Sequence, residues 1–312
     1  MSTERIERIF DSGYKAVLVT TGGGSGALHS LLTTPGASRF VADAQIPYSP
    51  EALERLLGEK PEQSVSPKTA LDLAQAAFKF PVSNFQFLAV SCTAALQTDR
   101  KRRGDDSAFI CIKTENAEKL YALYLSEAPR AEQEALLSDW LLVLIAQAVG
   151  AERGLMLPGS FNPGHYGHFE LLKVAEKMTG LRGVFELSFA NVDKPDILEE
   201  EILRRASSIR DIPVALTRAP RFTQKAELFP NTTFVLGHDT AERLIDYADG
   251  SEWELFQGLE TSFLIAGRLR RETDGFLSMA DVRIPKTFEN LFESIPESMF
   301  REDISSTELR DS

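Results

Sequence analysis

Two short stretches of this chain carry the residue types that chemistry on a phosphate needs. Gly159-Ser160-Phe161-Asn162-Pro163-Gly164-His165-Tyr166-Gly167-His168 sets two imidazoles three residues apart behind a glycine-rich turn. Ile304-Ser305-Ser306-Thr307-Glu308-Leu309-Arg310 groups three hydroxyls with a guanidinium. Imidazoles at that spacing on the first turn of a helix share a face, and the backbone N–H groups of a helix N-terminus favour an anion. Hydroxyl donors beside a fixed cation suit phosphate oxygens in the same way. The chain has four histidines, and three of them, His165, His168 and His238, fall in candidate segments.

Those side chains need a scaffold, and the hydropathy pattern supplies one. Gly154-Leu155-Met156-Leu157-Pro158 reads as a strand, and Phe169 to Ala175 has the apolar spacing of an amphipathic helix, so the histidines lie in a strand–turn–helix corner. Val184 to Phe189 reads as a further strand. In the N-terminal half, Lys15 to Thr20 reads as a buried strand leading into Thr21-Gly22-Gly23-Gly24-Ser25-Gly26 and a helix through Leu28, Leu31 and Leu32. A helix through Ala70, Leu71, Leu73 and Ala74 precedes strands at Gln86–Val90 and Ala108–Ile112, and a helix from Arg130 to about Val149 follows. Strands alternating with helices imply an α/β architecture in each half, with the boundary at Gly150-Ala151-Glu152-Arg153. The expected domains are residues 1–150 and 151–312.

A length of 312 residues agrees with two domains. A net charge of −12 argues against a general nucleic-acid binder, which needs a basic face. The basic run Arg100-Lys101-Arg102-Arg103 is flanked by Asp99, Asp105 and Asp106 and reads as a solvated loop. Cys92 and Cys111 have no metal-binding spacing. The longest apolar run, Trp140 to Ala146, is too short for a bilayer and reads as a buried helix. No leader-like core appears near Met1. The expectation is a cytoplasmic protein with neither nucleic acid nor membrane as partner.

The two phosphate-type motifs together resemble the nicotinate/nicotinamide mononucleotide adenylyltransferases, within the His-x-Gly-His nucleotidylyltransferase superfamily. The resemblance covers most of residues 153–312 and implies a Rossmann-like parallel sheet. It implies that His165, His168 and Arg310 are catalytic contacts to the ATP phosphates. Gly159, Ser160, Phe161, Lys194, Asp239, Ser305, Ser306 and Thr307 would bind the nucleotides, and Mg²⁺ would arrive with ATP as substrate, with no resident metal. Asp239 would contact a ribose or order the site; a cap at the end of a strand is the other reading. Trp253 would stack on the pyridine ring or pack in the core. The implied reaction is adenylyl transfer to nicotinate or nicotinamide mononucleotide. The alternatives are another phosphate monoester as acceptor, or a nucleotide sensor without catalysis. Homo-oligomerisation stays open.

The N-terminal half resembles the C-terminal domain of CinA, the nicotinamide mononucleotide deamidases, over roughly residues 10–150. Leu31 to Ser38, Pro47-Tyr48-Ser49-Pro50-Glu51-Ala52-Leu53 and Val65-Ser66-Pro67-Lys68-Thr69-Ala70 carry the likeness. The departures fall on the catalytic loops. The family's nucleophilic serine corresponds here to Gly22 or Thr21, its lysine to Leu53, and its second glycine loop to Val90–Leu96. Thr21, Ser25 and Cys92 are the substitutes to consider for an amidohydrolase, and the Gly22–Gly26 loop could instead cradle a phosphate.

Overall fold

Residues 2–80, 85–100, 102, 104–190, 196–270 and 275–301 are described by the computed structural model. The chain divides into two compact units, residues 1–152 with 209–216, and residues 153–208 with 217–312. In chain order the first stretch holds α1 (Thr3–Phe10), β1 (Tyr14–Thr21), α2 (Ser25–Thr33), β2 (Val41–Gln45), α3 (Pro50–Leu57) and α4 (Pro67–Phe78). It continues with β3 (Gln86–Ala95), β4 (Ser107–Lys113), β5 (Glu118–Tyr124) and α5 (Arg130–Ala148). From residue 153 follow β6 (Gly154–Pro158), α6 (Tyr166–Thr179), β7 (Gly183–Ser188), α7 (Glu199–Ala206), β8 (Val214–Thr217) and α8 (Phe222–Leu228). The last elements are β9 (Thr232–Gly237), α9 (His238–Tyr247), α10 (Gly250–Gly258), β10 (Ser262–Ala266), β11 (Arg268–Arg270), β12 (Gly275–Leu277) and β13 (Phe292–Ile295).

The first unit is built on a mixed sheet in the order β8-β5-β4-β3-β1-β2. β1 pairs parallel with β2 and β3, while β3–β4, β4–β5 and β5–β8 are antiparallel. Alternation along β1 sends Val17 and Val19 into a core with Leu53, Leu73 and Ala77 from α3 and α4. Ser49 and Ser66 cap those helices, each accepting an N–H three residues on, with proline in the first turn. One expectation is corrected here. Ser91 to Ala95, read as part of a substituted loop, continue strand β3. The run Ser91-Cys92-Thr93-Ala94 is buried because small residues pack flat between neighbouring strands, and the Ser91 and Thr93 hydroxyls are answered by the main-chain oxygens of Ala70 and Ser64.

The second unit is built on a parallel sheet in the order β13-β10-β9-β6-β7. The chain enters on β6, crosses to β7 on one side, and later returns to β9 on the other. β6 and β9 therefore flank the point where strand order reverses, the place where open α/β sheets bind ligands at the carboxyl ends of their strands. Phe222, Phe234, Phe256, Phe263 and Phe292 interlock at ring-centroid separations of 5.0–6.1 Å in the core. Trp253 belongs to this cluster, buried against Phe256, Phe288 and Phe292, so core packing and not ring stacking on a ligand is its role.

Candidate active site

The expected strand–turn–helix corner is formed by β6, the loop 159–165 and α6. Gly159 donates its N–H to the main-chain oxygen of Glu186 on β7 at 3.0 Å. A Cβ on Gly159 would lie 2.6 Å from the Phe161 ring, so only glycine lets that ring fold back beneath the loop. Phe161 takes a positive φ of 39° and is fully buried, edge-on to His168 and Phe185 at 5.0 Å from each. Its ring thus supports the histidine; it presents no open face to a ligand. Ser160 is exposed beside it.

His165 stands immediately before α6 in extended conformation, and His168 sits one turn in. Their rings lie against one another, centroids 3.7 Å apart and planes tilted by 33°. The His165 backbone N–H donates to His168 Nδ1 at 3.2 Å, which assigns the neutral ring's proton to Nε2. Burial, with His165 adding to it, pushes the His168 pKa down to about 4. At neutral pH His168 is therefore an uncharged Nε2–H donor, and α6 adds the partial positive charge of its N-terminus.

The turn is held from α7 and the residues just after it, which the sequence reading did not single out. Arg205 donates to the main-chain oxygen of Ser160 at 3.2 Å, Arg204 to Asn162 Oδ1 at 3.0 Å, and the Gly164 N–H to Ser208 Oγ at 3.3 Å. Glu201 joins the two arginines at 2.6 and 2.7 Å. The spacing Glu201, Arg204, Arg205 was readable as a helical ion-pair face; that it grips a loop 42–45 residues earlier was not. On β7, the buried Glu186 carboxylate takes Lys225 Nζ at 2.7 Å and the Thr217 hydroxyl at 2.5 Å.

Asp239 lies on the first turn of α9, at the end of β9, and pairs with Arg268. Lys194, Ser305, Ser306, Thr307 and Arg310 lie outside the described residues.

The corresponding corner of the first unit, between β1 and α2, is built differently. Its glycines are required by crowding: a Cβ on Gly22 would stand 1.9 Å from the Ala94 carbonyl oxygen, and one on Gly24 would stand 2.6 Å from Leu141. The N–H groups of Gly24 and Gly26 donate to the Glu134 carboxylate at 2.8 and 2.9 Å, and Ser25 Oγ donates to it at 3.1 Å. The phosphate-cradle reading of this loop is thereby corrected, because the donors it needs serve an internal anion. Thr21 Oγ1 donates to the Pro47 carbonyl at 2.8 Å. Cys92 is fully buried, and burial pushes its thiol pKa well up. A cavity of about 150 Å³ remains beside the loop, bordered by Thr20, Ser25, Tyr48, Arg130 and Glu134. Arg130 donates to the Gly22 and Gln97 main-chain oxygens at 2.8 and 3.1 Å.

A family model described as cytidylyltransferase-like matches residues 156–312. Among solved structures, the chain is similar to a competence-damaged protein (CinA) superfamily protein from Klebsiella pneumoniae, at 11% identity and a TM-score of 0.42, over 48% of this chain and 96% of that one. It is also similar to the competence/damage-inducible protein CihA from Agrobacterium tumefaciens, at 21% identity and a TM-score of 0.40, over 47% and 94%. No curated protein matches the sequence. No helix among the described residues is long and apolar enough to cross a membrane.

Proposed function

The chain belongs to the cytidylyltransferase-like family, and we propose that its second unit transfers the adenylyl group of MgATP to nicotinate or nicotinamide mononucleotide, releasing pyrophosphate. The observation that carries this reading is the closely packed His165–His168 pair at the head of α6, which follows β6, the strand beside the point where sheet order reverses.

In this reaction a 5′-phosphate oxygen of the acceptor attacks the α-phosphorus of ATP in line, and the bond to the bridging oxygen of pyrophosphate breaks. The nucleophile is already anionic, so no strong base is required. What remains is positioning and the stabilisation of charge on the phosphate oxygens. His168 is suited to this as a neutral donor: Phe161 and His165 fix its ring, and Nε2–H is the hydrogen it can offer. The N-terminus of α6 acts on the same anion. Arg204, Arg205 and Ser208 keep the turn in place, so the donors are organised before substrate arrives. By the resemblance, Lys194, Ser305, Ser306, Thr307 and Arg310 complete the phosphate contacts, and Asp239 borders the nucleotide.

The first unit takes no part in carbonyl chemistry in this reading. A carbonyl attack needs an activated nucleophile and donors for the oxyanion. Thr21 is tied to Pro47, the Cys92 thiol is buried in a strand, and the glycine N–H donors are answered by Glu134.

The test is dinucleotide formation by the purified protein with ATP and Mg²⁺, offering each mononucleotide separately, with His168→Ala as control. Product that the variant fails to make supports the reading and identifies the acceptor. Nucleotide binding without product from either acceptor would sink it, and would favour another phosphate monoester or a sensor.

A further inference from the structure

His238 opens α9 and is 1% exposed, yet neither of its ring nitrogens has a hydrogen-bond partner. A buried imidazole without a partner is costly, so such a group calls for an explanation. Its Nδ1 faces two carboxylates, Glu242 Oε2 at 3.5 Å and Asp239 Oδ1 at 3.9 Å. His238 and Glu242 are one helical turn apart and so share a face, with Asp239 beside them. One donor atom from each of the three residues lies within 4.8 Å of the others.

We propose that His238, Asp239 and Glu242 form a binding site for a divalent transition-metal ion, of the zinc or manganese class. The argument is independent of adenylyl transfer and of the Mg²⁺ that accompanies ATP. Separations of 3.5 and 3.9 Å can be bridged by one ion bonded at about 2.0–2.2 Å to each atom. One imidazole nitrogen with two carboxylate oxygens suits borderline metals, whereas an all-oxygen set would suit Mg²⁺ or Ca²⁺. Asp239 divides its oxygens: Oδ2 is held by Arg268, which orients the group, and Oδ1 is turned toward His238. The two carboxylates carry more negative charge than Arg268 offsets, so a dication is the complementary occupant. Both are half exposed, which leaves positions for water or an exchangeable ligand on the solvent side.

The experiment is calorimetric titration of chelator-treated, nucleotide-free protein with Zn²⁺ and, separately, Mn²⁺. It is combined with imidazole NMR, in which four histidines give a readily assigned spectrum. One saturable equivalent is expected, with Zn²⁺ moving the His238 resonances and Glu242→Gln weakening binding at least tenfold. Glu242 is on the surface, so this variant tests the site without the folding risk of His238→Ala. Absence of saturable binding would overturn the proposal. So would binding unchanged in Glu242→Gln, or shifts confined to His29, His165 and His168. Because no nucleotide is present, either result stands apart from the outcome of the dinucleotide assay.

Discussion

The two strand–turn–helix corners, β1 to α2 and β6 to α6, look alike as sequence and differ in what answers their donors. Both turns are glycine-rich and both open a helix. At the first, a carboxylate from α5 reaches across to take the N–H groups of Gly24 and Gly26. At the second, Gly159 is satisfied by a main-chain oxygen and Gly164 by Ser208, while two imidazoles stand at the head of the helix. The glycines of the first corner answer crowding by Ala94 and Leu141, and Gly159 makes room for Phe161. Glycine therefore marks a tight corner in both cases; the first is filled by an internal carboxylate, and the second presents two imidazoles at the head of its helix.

The contrast can be tested by changing the group that answers each carboxylate or anion. The largest effect is expected beneath the second corner, where Lys225→Met would leave Glu186 buried without its cation. A loss of about 3–5 kcal/mol is expected, read by chemical denaturation, with much of it recovered when Glu186 is also made apolar. Next, His168→Ala should lower kcat for dinucleotide formation by about 10²–10³, whereas Glu134→Ala should leave that kcat unchanged. A large effect of Glu134→Ala on transfer would break the distinction between the corners.

Glu134→Ala sharpens it from the other side. Stability should fall by about 1–3 kcal/mol as donors lose their partner, and the emptied corner should bind inorganic phosphate weakly where the parent protein does not. Phosphorus NMR would read this, and failure to bind would mean that donors alone do not make the cradle. A smaller effect is expected from pH. The His168 pKa is pushed down to about 4, against ~6.5 in an unfolded chain. Between those values the unfolded chain binds more protons, so stability rises with pH through the window and levels off above it. About 1–2 kcal/mol should separate pH 5 from pH 6.5, and His168→Gln should remove that increment from the denaturation midpoints. A parent protein whose midpoints match the variant's at both pH values would contradict the neutral buried ring. Smallest of all, Arg205→Met should raise KM for the nucleotides several-fold while kcat holds, because it loosens the turn but touches none of the reacting atoms. An unchanged KM would show that Arg204 and Ser208 suffice.

How far the sequence went depended on the range of the interaction involved. The β6–α6 corner was legible because an apolar pentapeptide, a glycine turn and a 3.6-residue pattern are all local. The burial of Trp140 to Ala146 in α5 was legible for the same reason. Glu134 was not, since its partners lie 108–110 residues away and nothing local marks it as the occupant of a glycine corner. The stretch 91–95 was misread because a family loop was expected there, although its alternation of small residues suits a strand. Phe161 looked like a ligand contact by position, and only packing shows that its ring lies under His168. His238 stood out only as one of few histidines; its company with Glu242 follows from α9 starting at that residue.

The segment 209–216 has a practical consequence for anyone who wishes to study the halves separately. The chain visits the first unit twice, and β8 completes its sheet by pairing with β5 through Val214, Ala215 and Leu216. No single cut yields both pieces whole. A recombinant fragment ending near residue 152 would display the open edge of β5, a ready template for self-association. A workable dissection would graft the 209–216 octapeptide back through a linker, or supply it in trans as a synthetic strand.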